Sequence, residues 1–192
     1  MAEPERMVFT YGFASGKPIP AGSSRVTIRL EPVPAGTRLS LVHELPDAGV
    51  RDEHVQGWRF QLSLFANVVA DEVFSGASAT ADAWFEAWAV TDGSTRAEAF
   101  SAIAEDGVVF RDRYSLLEGI ADLTAHAGAA QRFMPGITMR RKGDVRQCQG
   151  VMLADWVATS PDGVVRMSGT NVFVLGLDGR IASATGLATL GN

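Results

Sequence analysis

The amino-acid sequence predicts an α+β fold in which helices cover one face of a curved antiparallel sheet. Two observations predict this arrangement. Residues 81–130 carry helical periodicity in two or three segments, and every segment from residue 137 onward reads as a strand. The third observation is that three strand-like segments and one long helical stripe come first in the chain. They predict a separate, smaller module over residues 1–72.

The composition of the 192-residue chain narrows the classes of protein to which it can belong. An apolar fraction of 46% and a charged fraction of 20% are ordinary for a soluble globular protein. The net charge of −5 disfavours nonspecific binding to nucleic acid, and we interpret the basic run Arg140-Arg141-Lys142 as a solvated strand end. No apolar stretch approaches a membrane span and no signal-peptide core follows Met1, so we expect a cytoplasmic protein without membrane or nucleic-acid partners.

Cysteine and histidine usage indicates neither a disulfide framework nor a metal site. Cys148 is the single cysteine, and the three histidines lack the spacing of metal ligands. We therefore predict no metal and no cofactor, and we interpret His43 and His54 as structural or solvated side chains.

The first part of the chain contains three predicted strands. Residues 7–13 form a short β-like run, residues 25–30 alternate between apolar and polar side chains, and residues 37–43 form the next strand. The prolines and glycine of residues 32–36 turn the chain between the second and third strands, which we expect to pair as a hairpin.

A long amphipathic helix follows these strands and carries one apolar stripe, at steps of three and four residues. Asp47 or Asp52 can cap its first turn. Gly57 lies inside the stripe, where glycine costs about 1 kcal/mol relative to alanine, so we expect a close backbone approach there. We expect Trp58 to be buried by the three-stranded sheet. The stripe consists of Val55, Trp58, Leu62, Phe65 and Val69.

The segments ERMVFTYGF, SRVTIRLEPVPAGTRLSLVHELP and DEHVQGWRFQL resemble the last third to half of the SRPBCC helix-grip superfamily. The most similar branch is the one named for the activator of the heat-shock protein ninety ATPase. The resemblance implies a partial helix-grip module over residues 1–72, without the family's opening strand, two short helices and early strands. In the family a ligand cavity lies between the long helix and a more complete sheet. Three strands and one helix enclose too little for us to expect ligand binding here.

The second part of the chain begins after residues 71–80, where the helical periodicity is lost, and we place a domain over residues 79–192. Three helices are predicted in it. Residues 81–91 cluster aromatic side chains on one face, and Thr95-Arg-Ala-Glu98 has the form of a capping box for the second helix. Residues 119–130 form the third helix.

Strands complete the second part, and a tight Asp178-Gly179 turn joins the last two of them. Alternation before this turn places Asn171 and Phe173 on the face opposite to Val172. A polar amide among apolar residues needs a hydrogen-bond partner or a ligand. The predicted strand segments are residues 137–141, 145–157, 164–177 and 180–188.

The segments WFEAWAVTDG, AEDGVVFRD, LLEGIADLTAH, FMPGI and GTNVFVLGLDGRI resemble, in order and spacing, the SnoaL-like branch of the nuclear transport factor two-like superfamily. The resemblance covers residues 79–189 and implies a cone-shaped sheet that wraps a deep apolar pocket. Members of this superfamily usually dimerise through the sheet, and the open sheet edge of the first module also favours association, so we predict a homodimer. The superfamily includes polyketide cyclases, ketosteroid isomerase, dehydratases and binding or scaffolding proteins, so the fold alone does not define the function.

Three positions match functional positions of ketosteroid isomerase, a member of that superfamily. Asp112 matches its proton-abstracting aspartate, and Asn171 matches a protonated aspartate that donates to the substrate oxyanion, a role that an amide can also fill. Trp84 matches the tyrosine that is the principal donor, and its indole is a bulkier and less acidic donor than a phenol. We therefore predict Asp112 and Asn171 as catalytic residues. We predict a ligand-binding wall of Trp84, Trp88, Tyr114, Met134, Trp156 and Phe173.

Structural explanations compete with these functional ones. Asp112 can pair with Arg111, Arg113 or a backbone N–H, and Asn171 can hydrogen-bond a side chain of a neighbouring strand. His126, on the third helix, can face either the pocket or solvent.

The sequence therefore supports two functions for the second part. The first is a cofactor-independent isomerase, cyclase or dehydratase that binds a small apolar or polycyclic carbonyl compound and abstracts a proton next to its carbonyl group. The alternative is a non-catalytic ligand-binding, dimerisation or assembly module. Residues 1–72 can in addition serve as an interaction element, with the open sheet edge paired to another chain.

Overall fold

A computed structural model describes residues 5–34 and 36–189 of the chain. The chain divides into two compact units, Met1–Phe65 and Ala66–Asn192, so that the division falls inside the long helix α1, Ala48–Val73. The domain boundary that the sequence predicts lies further along the chain, between residues 72 and 79, and it stays a prediction. None of the described helices is both long and apolar enough to cross a membrane.

The first unit contains a three-stranded antiparallel sheet in the order β1-β2-β3. Its strands are Arg6–Tyr11, Ser24–Val33 and Gly36–Glu44, which confirms the three predicted strands. The second and third strands pair as the predicted hairpin. Ala35, in the turn predicted between them, lies outside the described residues.

Helix α1 begins after Asp47, whose side-chain oxygen accepts a hydrogen bond from the backbone N–H of Val50 over 3.0 Å. Asp47 is therefore the cap, whereas Asp52 pairs with the preceding arginine. Two expectations for this helix are wrong. The space beside Gly57 is open, with no described atom within 4 Å of where a Cβ would lie. Trp58 is half-buried rather than buried, because a three-stranded sheet is too narrow to cover the whole stripe.

The second unit packs three helices against a larger sheet. The helices are α2, Ala77–Ala87, α3, Gly93–Ile103, and α4, Gly119–Phe133, which confirms the number predicted from the sequence. The segment of residues 71–80 was expected to be irregular. That expectation is wrong, since only residues 74–76 separate α1 from α2.

Helix α3 begins earlier than the sequence predicts. Its cap is Asp92, whose carboxylate accepts hydrogen bonds from the backbone N–H of Thr95 over 2.8 Å and from the hydroxyl of Thr95 over 2.7 Å. The predicted capping box at Thr95 is therefore wrong, because that residue already lies in the first turn of the helix.

The sheet of the second unit has seven strands in the order β5-β4-β10-β9-β8-β6, with β7 paired to β8. Within the described residues the strand pairs are antiparallel except β4 with β10, which run parallel because β4 enters the sheet from the end of α3. The strands are β4, Ala104–Arg111; β5, Leu116–Glu118; β6, Thr138–Arg141; β7, Arg146–Cys148; β8, Val151–Thr159; β9, Val165–Leu175; and β10, Ile181–Thr189.

The segment predicted as one strand over residues 145–157 is two strands. Gln149 and Gly150 have φ angles of 49° and 84°, and these two left-handed residues form a tight turn that folds β7 back on β8. The polar residue before a glycine is the sequence signal for this turn, and the alternating pattern on both sides of it masks that signal.

The hairpin of β9 and β10 has the predicted form. Its turn is closed by a hydrogen bond of 3.0 Å from the N–H of Gly179 to the carbonyl of Gly176. Asn171 and Phe173 are buried on the inner face, whereas Val174 is exposed on the outer face. The core between this inner face and the helices includes Trp84, Phe85, Phe100, Leu123, Met152 and Phe173.

A buried cation fixes α4 against the turn between α2 and α3. Arg96 is only 6% exposed, and its guanidinium donates to the backbone carbonyls of Val90 over 2.6 Å and Thr124 over 3.1 Å. Gly128 leaves the room for this guanidinium, since a Cβ there would overlap it. These carbonyls take the place of a carboxylate partner and so compensate the desolvation of the charge.

Candidate ligand-binding and catalytic site

A cavity of about 480 Å³ lies in the second unit, between α4 and the inner face of the sheet. Its walls are mainly apolar, and they include Asp112 and Asn171, the two residues predicted as catalytic. An apolar cavity with a few converging polar groups is the usual form of a small-molecule site. The large apolar side chains of its wall include Trp88, Phe110, Phe133, Met134, Met139 and Trp156.

Asp112 stands directly after β4, and its carboxylate is held by its own loop. Oδ1 accepts hydrogen bonds from the backbone N–H groups of Tyr114 over 2.8 Å and Ser115 over 2.7 Å, and from the Ser115 hydroxyl over 2.6 Å. Among the described residues none donates to Oδ2. Of the structural partners considered from the sequence, the backbone N–H is therefore the one observed, and neither Arg111 nor Arg113 pairs with the carboxylate.

Asn171 is buried on the inner face of β9, and one hydrogen bond determines how its amide is turned. The indole N–H of Trp156 donates to its side-chain oxygen over 2.9 Å. An indole nitrogen can only donate, so the atom it contacts must be the amide oxygen. The amide NH₂ group therefore faces away from Trp156, and no described residue accepts a hydrogen bond from it.

The side chains of Asp112 and Asn171 both lie close to Gly186. This glycine pairs with Asn171 across β9 and β10. A Cβ on Gly186 would lie 3.4 Å from the amide oxygen of Asn171, 3.4 Å from the Cβ of Asp112 and 3.8 Å from the ring of Phe110. The two predicted catalytic residues thus flank one point of the cavity, and the absent side chain of Gly186 keeps that point open.

His126 faces this cavity rather than solvent alone, which answers the question that the sequence left open. Its ring lies edge-on to Trp88, with 5.9 Å between the ring centroids. Its Nε2 is 3.4 Å from the hydroxyl of Ser115, the same hydroxyl that donates to Asp112. A titratable imidazole is therefore connected to the carboxylate through one serine.

Four of the six predicted wall residues line the cavity, and two lie behind it. Trp88, Met134 and Trp156 belong to the wall, and Tyr114 stands at the opening, where it is 75% exposed. Trp84 and Phe173 are fully buried and do not line the cavity.

Trp84 and Phe173 pack against each other with 5.5 Å between ring centroids. Periodicity shows that both residues face inward, but it does not distinguish the cavity wall from the layer of core beneath it. In the structure the indole of Trp84 therefore packs in the core and does not offer its N–H at the wall.

The wall also contains residues that the sequence analysis does not single out, among them Phe110 and Gly186. The position of Gly186 could have been predicted from the hairpin turn. When the residues on both sides of the turn at 178–179 are paired in order, residue 186 lies opposite Asn171. Phe110 lies at the end of β4, two residues before Asp112, and both side chains line the cavity.

An ion pair holds α2 to β6 beside the cavity. The guanidinium of Arg141 donates to the two carboxylate oxygens of Asp82 over 2.7 and 2.9 Å. These hydrogen bonds keep the pKa of Asp82 below its ordinary value. The interpretation of Arg140-Arg141-Lys142 as a solvated strand end is therefore wrong for Arg141, whose side chain is 24% exposed.

The first unit has a separate network centred on His43. The indole N–H of Trp58 donates to Nδ1 of His43 over 3.0 Å, so that Nδ1 is an acceptor and the ring is neutral. Its Nε2–H then donates to the Ser24 hydroxyl over 2.8 Å, which donates to the carbonyl of Tyr11. Burial, and secondly the nearby His54, lower the pKa of His43. Within residues 5–34 and 36–189, no three His, Cys, Asp or Glu side chains are placed to hold a metal ion.

Comparison with known proteins gives a separate result for the beginning of the chain. Residues 1–70 match the family model described as activator of Hsp90 ATPase homolog 1-like protein, the branch that the first segments resemble. No curated protein matches the chain at a significant level.

Solved structures described as SnoaL-like or NTF2-like are similar to this chain. A SnoaL-like protein from Agrobacterium tumefaciens strain C58, assigned as an isomerase, has 21% sequence identity and a TM-score of 0.53, over 66% of this chain and 99% of that one. An NTF2-like protein of unknown function from Exiguobacterium sp. 255-15 has 21% identity and a TM-score of 0.48, over 58% of this chain and 99% of that one.

A SnoaL-like protein from Jannaschia sp. CCS1, assigned as a polyketide cyclase, has 14% identity and a TM-score of 0.46, over 64% of this chain and 86% of that one. The similarity to the Agrobacterium structure confirms the predicted cone-shaped α+β fold. At this level of identity it shows the fold alone, and function has to be argued from the site.

Proposed function

We propose that the second unit binds a small apolar or polycyclic carbonyl compound and abstracts a proton from the carbon next to its carbonyl group. The observation that carries this proposal is the position of Asp112 and Asn171 on two sides of one open point in an apolar cavity. The fold shared with the Agrobacterium protein, which is assigned as an isomerase, supports the same class of chemistry.

The chemical step needs only a base and a hydrogen-bond donor. Oδ2 of Asp112 takes the proton, the C–H electron pair forms a carbon–carbon double bond, and the carbonyl π electrons move onto the oxygen. The NH₂ group of Asn171 donates to that oxygen as its negative charge develops. Return of the proton from Asp112 to another carbon completes an isomerisation. In a dehydration the enolate re-forms the carbonyl group, the bond from the β-carbon to its hydroxyl breaks, and the proton of Asp112 passes to that hydroxyl, which leaves as water.

The hydrogen bonds already present orient both groups before a substrate arrives. Three donors fix Oδ1 of Asp112 and leave Oδ2 for the substrate proton. The Trp156 indole fixes the oxygen of Asn171 and leaves the NH₂ group for the substrate carbonyl. Groups that are oriented in advance stabilise the transition state without reorganising during the reaction.

The cavity limits the substrate to an apolar molecule of moderate size. A volume of about 480 Å³ is within the range of sites for compounds with two to four fused rings. Trp88, Phe110 and Trp156 supply flat apolar surfaces on which such rings can stack.

Hydrogen exchange of 2-tetralone in heavy water tests this function. The CH₂ group between its ring and carbonyl is acidic, so NMR measures the loss of that proton signal with and without the protein. We expect the wild-type protein to accelerate exchange and Asp112→Asn to reduce the acceleration by about 10²- to 10⁴-fold, as for loss of a general base. Asp122→Asn, an exposed carboxylate of α4 outside the cavity wall, is the matched control and should exchange at the wild-type rate.

The alternative is a binding module without catalysis, and one observation favours it. The three hydrogen bonds to Oδ1 give Asp112 a structural role in its own loop. If 2-tetralone perturbs the tryptophan fluorescence but exchanges equally in wild type and Asp112→Asn, the cavity binds ligands without proton abstraction.

We further propose that the protein forms a homodimer through the outer face of the second unit's sheet. Val151 and Val174 face each other across β8 and β9 and are 41% and 44% exposed, and Leu187 on β10 is 55% exposed. Paired exposed apolar side chains on a sheet favour burial against another surface. Light scattering at tens of micromolar protein should give twice the chain mass, and Val174→Asp should give the chain mass. A wild-type monomer at that concentration would contradict the dimer.

A further inference from the structure

The first unit has an open cavity of its own, of about 620 Å³, between the end of β1, the loop that follows it and the first half of α1. Its walls contain four aromatic side chains, one carboxylate and one imidazole. These residues are Tyr11, Phe13, Trp58, Phe60, Glu53 and His54.

Neighbouring aromatic rings of this wall meet at steep angles. The ring planes of Tyr11 and Phe13 are 79° apart with 5.6 Å between centroids, and those of Tyr11 and Trp58 are 52° apart with 6.2 Å between centroids. The indole of Trp58 is held in place by its hydrogen bond to His43. The aromatic wall is therefore angled rather than flat, and one of its members is fixed by a buried hydrogen bond.

The polar groups of the wall include a carboxylate, an imidazole, the hydroxyl of Tyr11 and the amide of Gln61. Glu53 is the one charged side chain among the described residues of the wall, and it makes no ion pair with a described residue. His54 uses Nδ1–H to donate to the carbonyl of Val50 over 2.8 Å, and its buried Nε2 has no hydrogen-bond partner among the described residues. The cavity is thus lined by aromatic rings and one carboxylate.

This combination selects one class of ligand by its chemistry. The face of an aromatic ring carries partial negative charge and attracts a cation placed over it, most strongly for tryptophan. A metal ion would need several oxygen or nitrogen ligands at short distance, and a single carboxylate does not supply them. We propose that the aromatic cavity of the first unit binds an organic cation, such as a quaternary or tertiary ammonium group, with Glu53 as its counter-charge.

NMR titration of the full-length protein with choline tests this site. The chain has four tryptophans, and the indole N–H signal that disappears in Trp58→Phe identifies the reporter. At pH 8, well above the ordinary imidazole pKa of about 6.5, the competing charge of a protonated histidine is removed. The neutral isostere 3,3-dimethylbutan-1-ol has the same shape as choline without its charge, so the pair separates cation binding from apolar burial.

We expect choline to shift the Trp58 signal in a saturable manner and to bind at least about fivefold more tightly than the neutral alcohol, as a cation–π contribution implies. Glu53→Gln should weaken choline binding and leave the binding of the alcohol unchanged. Asp52→Asn, the adjacent exposed carboxylate that pairs with Arg51 outside the cavity wall, should bind choline like the wild type.

Three results would overturn the proposal: no saturable shift of Trp58 with choline, equal affinities for choline and the alcohol, or equal losses in Glu53→Gln and Asp52→Asn. Asp112→Asn separates this site from the cavity of the second unit. It should leave the choline titration unchanged, and loss of the shift in that variant would also contradict a site in the first unit.

Discussion

The side-chain oxygen of Asn171 accepts a hydrogen bond of 2.9 Å from the indole of Trp156, and both residues are buried at the wall of one cavity. The contact joins neighbouring strands, since Asn171 lies on β9 and Trp156 on β8. Its consequence is an amide whose NH₂ group has no described partner and is turned away from the indole. Trp156 is therefore a positioning residue for Asn171.

Trp156→Phe should reduce proton exchange more than binding. Phenylalanine keeps most of the apolar wall but removes the donor, so the amide of Asn171 is free to rotate. We expect 2-tetralone to bind within about threefold of the wild-type affinity and exchange to slow by about tenfold or more, since a misaligned donor loses much of its effect on the transition state. Trp88→Phe removes an indole from the same wall without touching Asn171, and it should change the affinity alone. Equal effects of the two substitutions on the exchange rate would contradict the positioning role.

Gly186→Ala should close the space between the two catalytic residues without unfolding the protein. The added methyl group would stand at ordinary contact distance, 3.4 Å, from the Asn171 oxygen and from the Cβ of Asp112. We expect the free energy of unfolding to change by less than about 0.5 kcal/mol, while the affinity for 2-tetralone falls by about tenfold or more, as expected when one carbon group blocks a tight site. Gly107→Ala, beside open space, is the matched control and should bind normally. If Gly186→Ala bound 2-tetralone with the wild-type affinity, the ligand would not occupy the space between Asp112 and Asn171.

Most of the fold could be predicted from the sequence, because the spacing of apolar residues differs between helices and strands. Alternation around the Asp178-Gly179 turn assigned Asn171 and Phe173 to the inner face, and the structure confirms both. The first residues of helices were harder to predict from the sequence where a capping side chain determines them. Asp92 rather than Thr95 begins α3, because a carboxylate three residues before a free N–H caps as well as a hydroxyl does.

The site was less accessible than the fold for a different physical reason. A side chain on an inner face lies either at the cavity wall or in the layer beneath it, and periodicity is the same for both. Trp84 and Trp156 are both buried, but only Trp156 lines the cavity. The hydrogen-bond partners of Asp112 could not be predicted from the sequence either. Whether the carboxylate pairs with Arg111, Arg113 or the backbone depends on the conformation of the turn that follows it.

Loss of the Asp82–Arg141 ion pair should destabilise the second unit by a small amount. Asp82 is 42% exposed, so solvent screens the pair, and Asp82→Asn should cost about 0.5–1 kcal/mol at pH 7 in urea denaturation. Because the folded-state pKa of Asp82 is lowered, its contribution is present above the ordinary value and is lost as the pH falls through the folded pKa. Asp122→Asn, which removes an exposed carboxylate of α4 from the same unit, should cost less. A pH dependence identical in Asp82→Asn and wild type would contradict the ion pair.

Acid should destabilise the first unit through His43. Its folded pKa is lowered by burial and by His54, so below about pH 6.5 the unfolded chain takes up a proton that the folded unit does not. Stability should therefore fall as the pH decreases from 6.5 toward the folded pKa, with a slope of at most about 1.4 kcal/mol per pH unit for one proton. Urea unfolding followed by the Trp58 indole signal measures this slope. His43→Gln keeps an acceptor for Trp58 and should show a smaller slope, and an equal slope would assign the effect to another group.

If Asp112 and Asn171 act on one bound carbonyl compound, a crystal structure of the 2-tetralone complex should show both residues in contact with it. We expect the ketone oxygen about 2.9 Å from the side-chain nitrogen of Asn171. We also expect the acidic CH₂ carbon about 3–3.5 Å from Oδ2 of Asp112. A ketone oxygen directed to the cavity mouth near Tyr114, or a CH₂ carbon beyond reach of Oδ2, would contradict proton abstraction and leave a binding module.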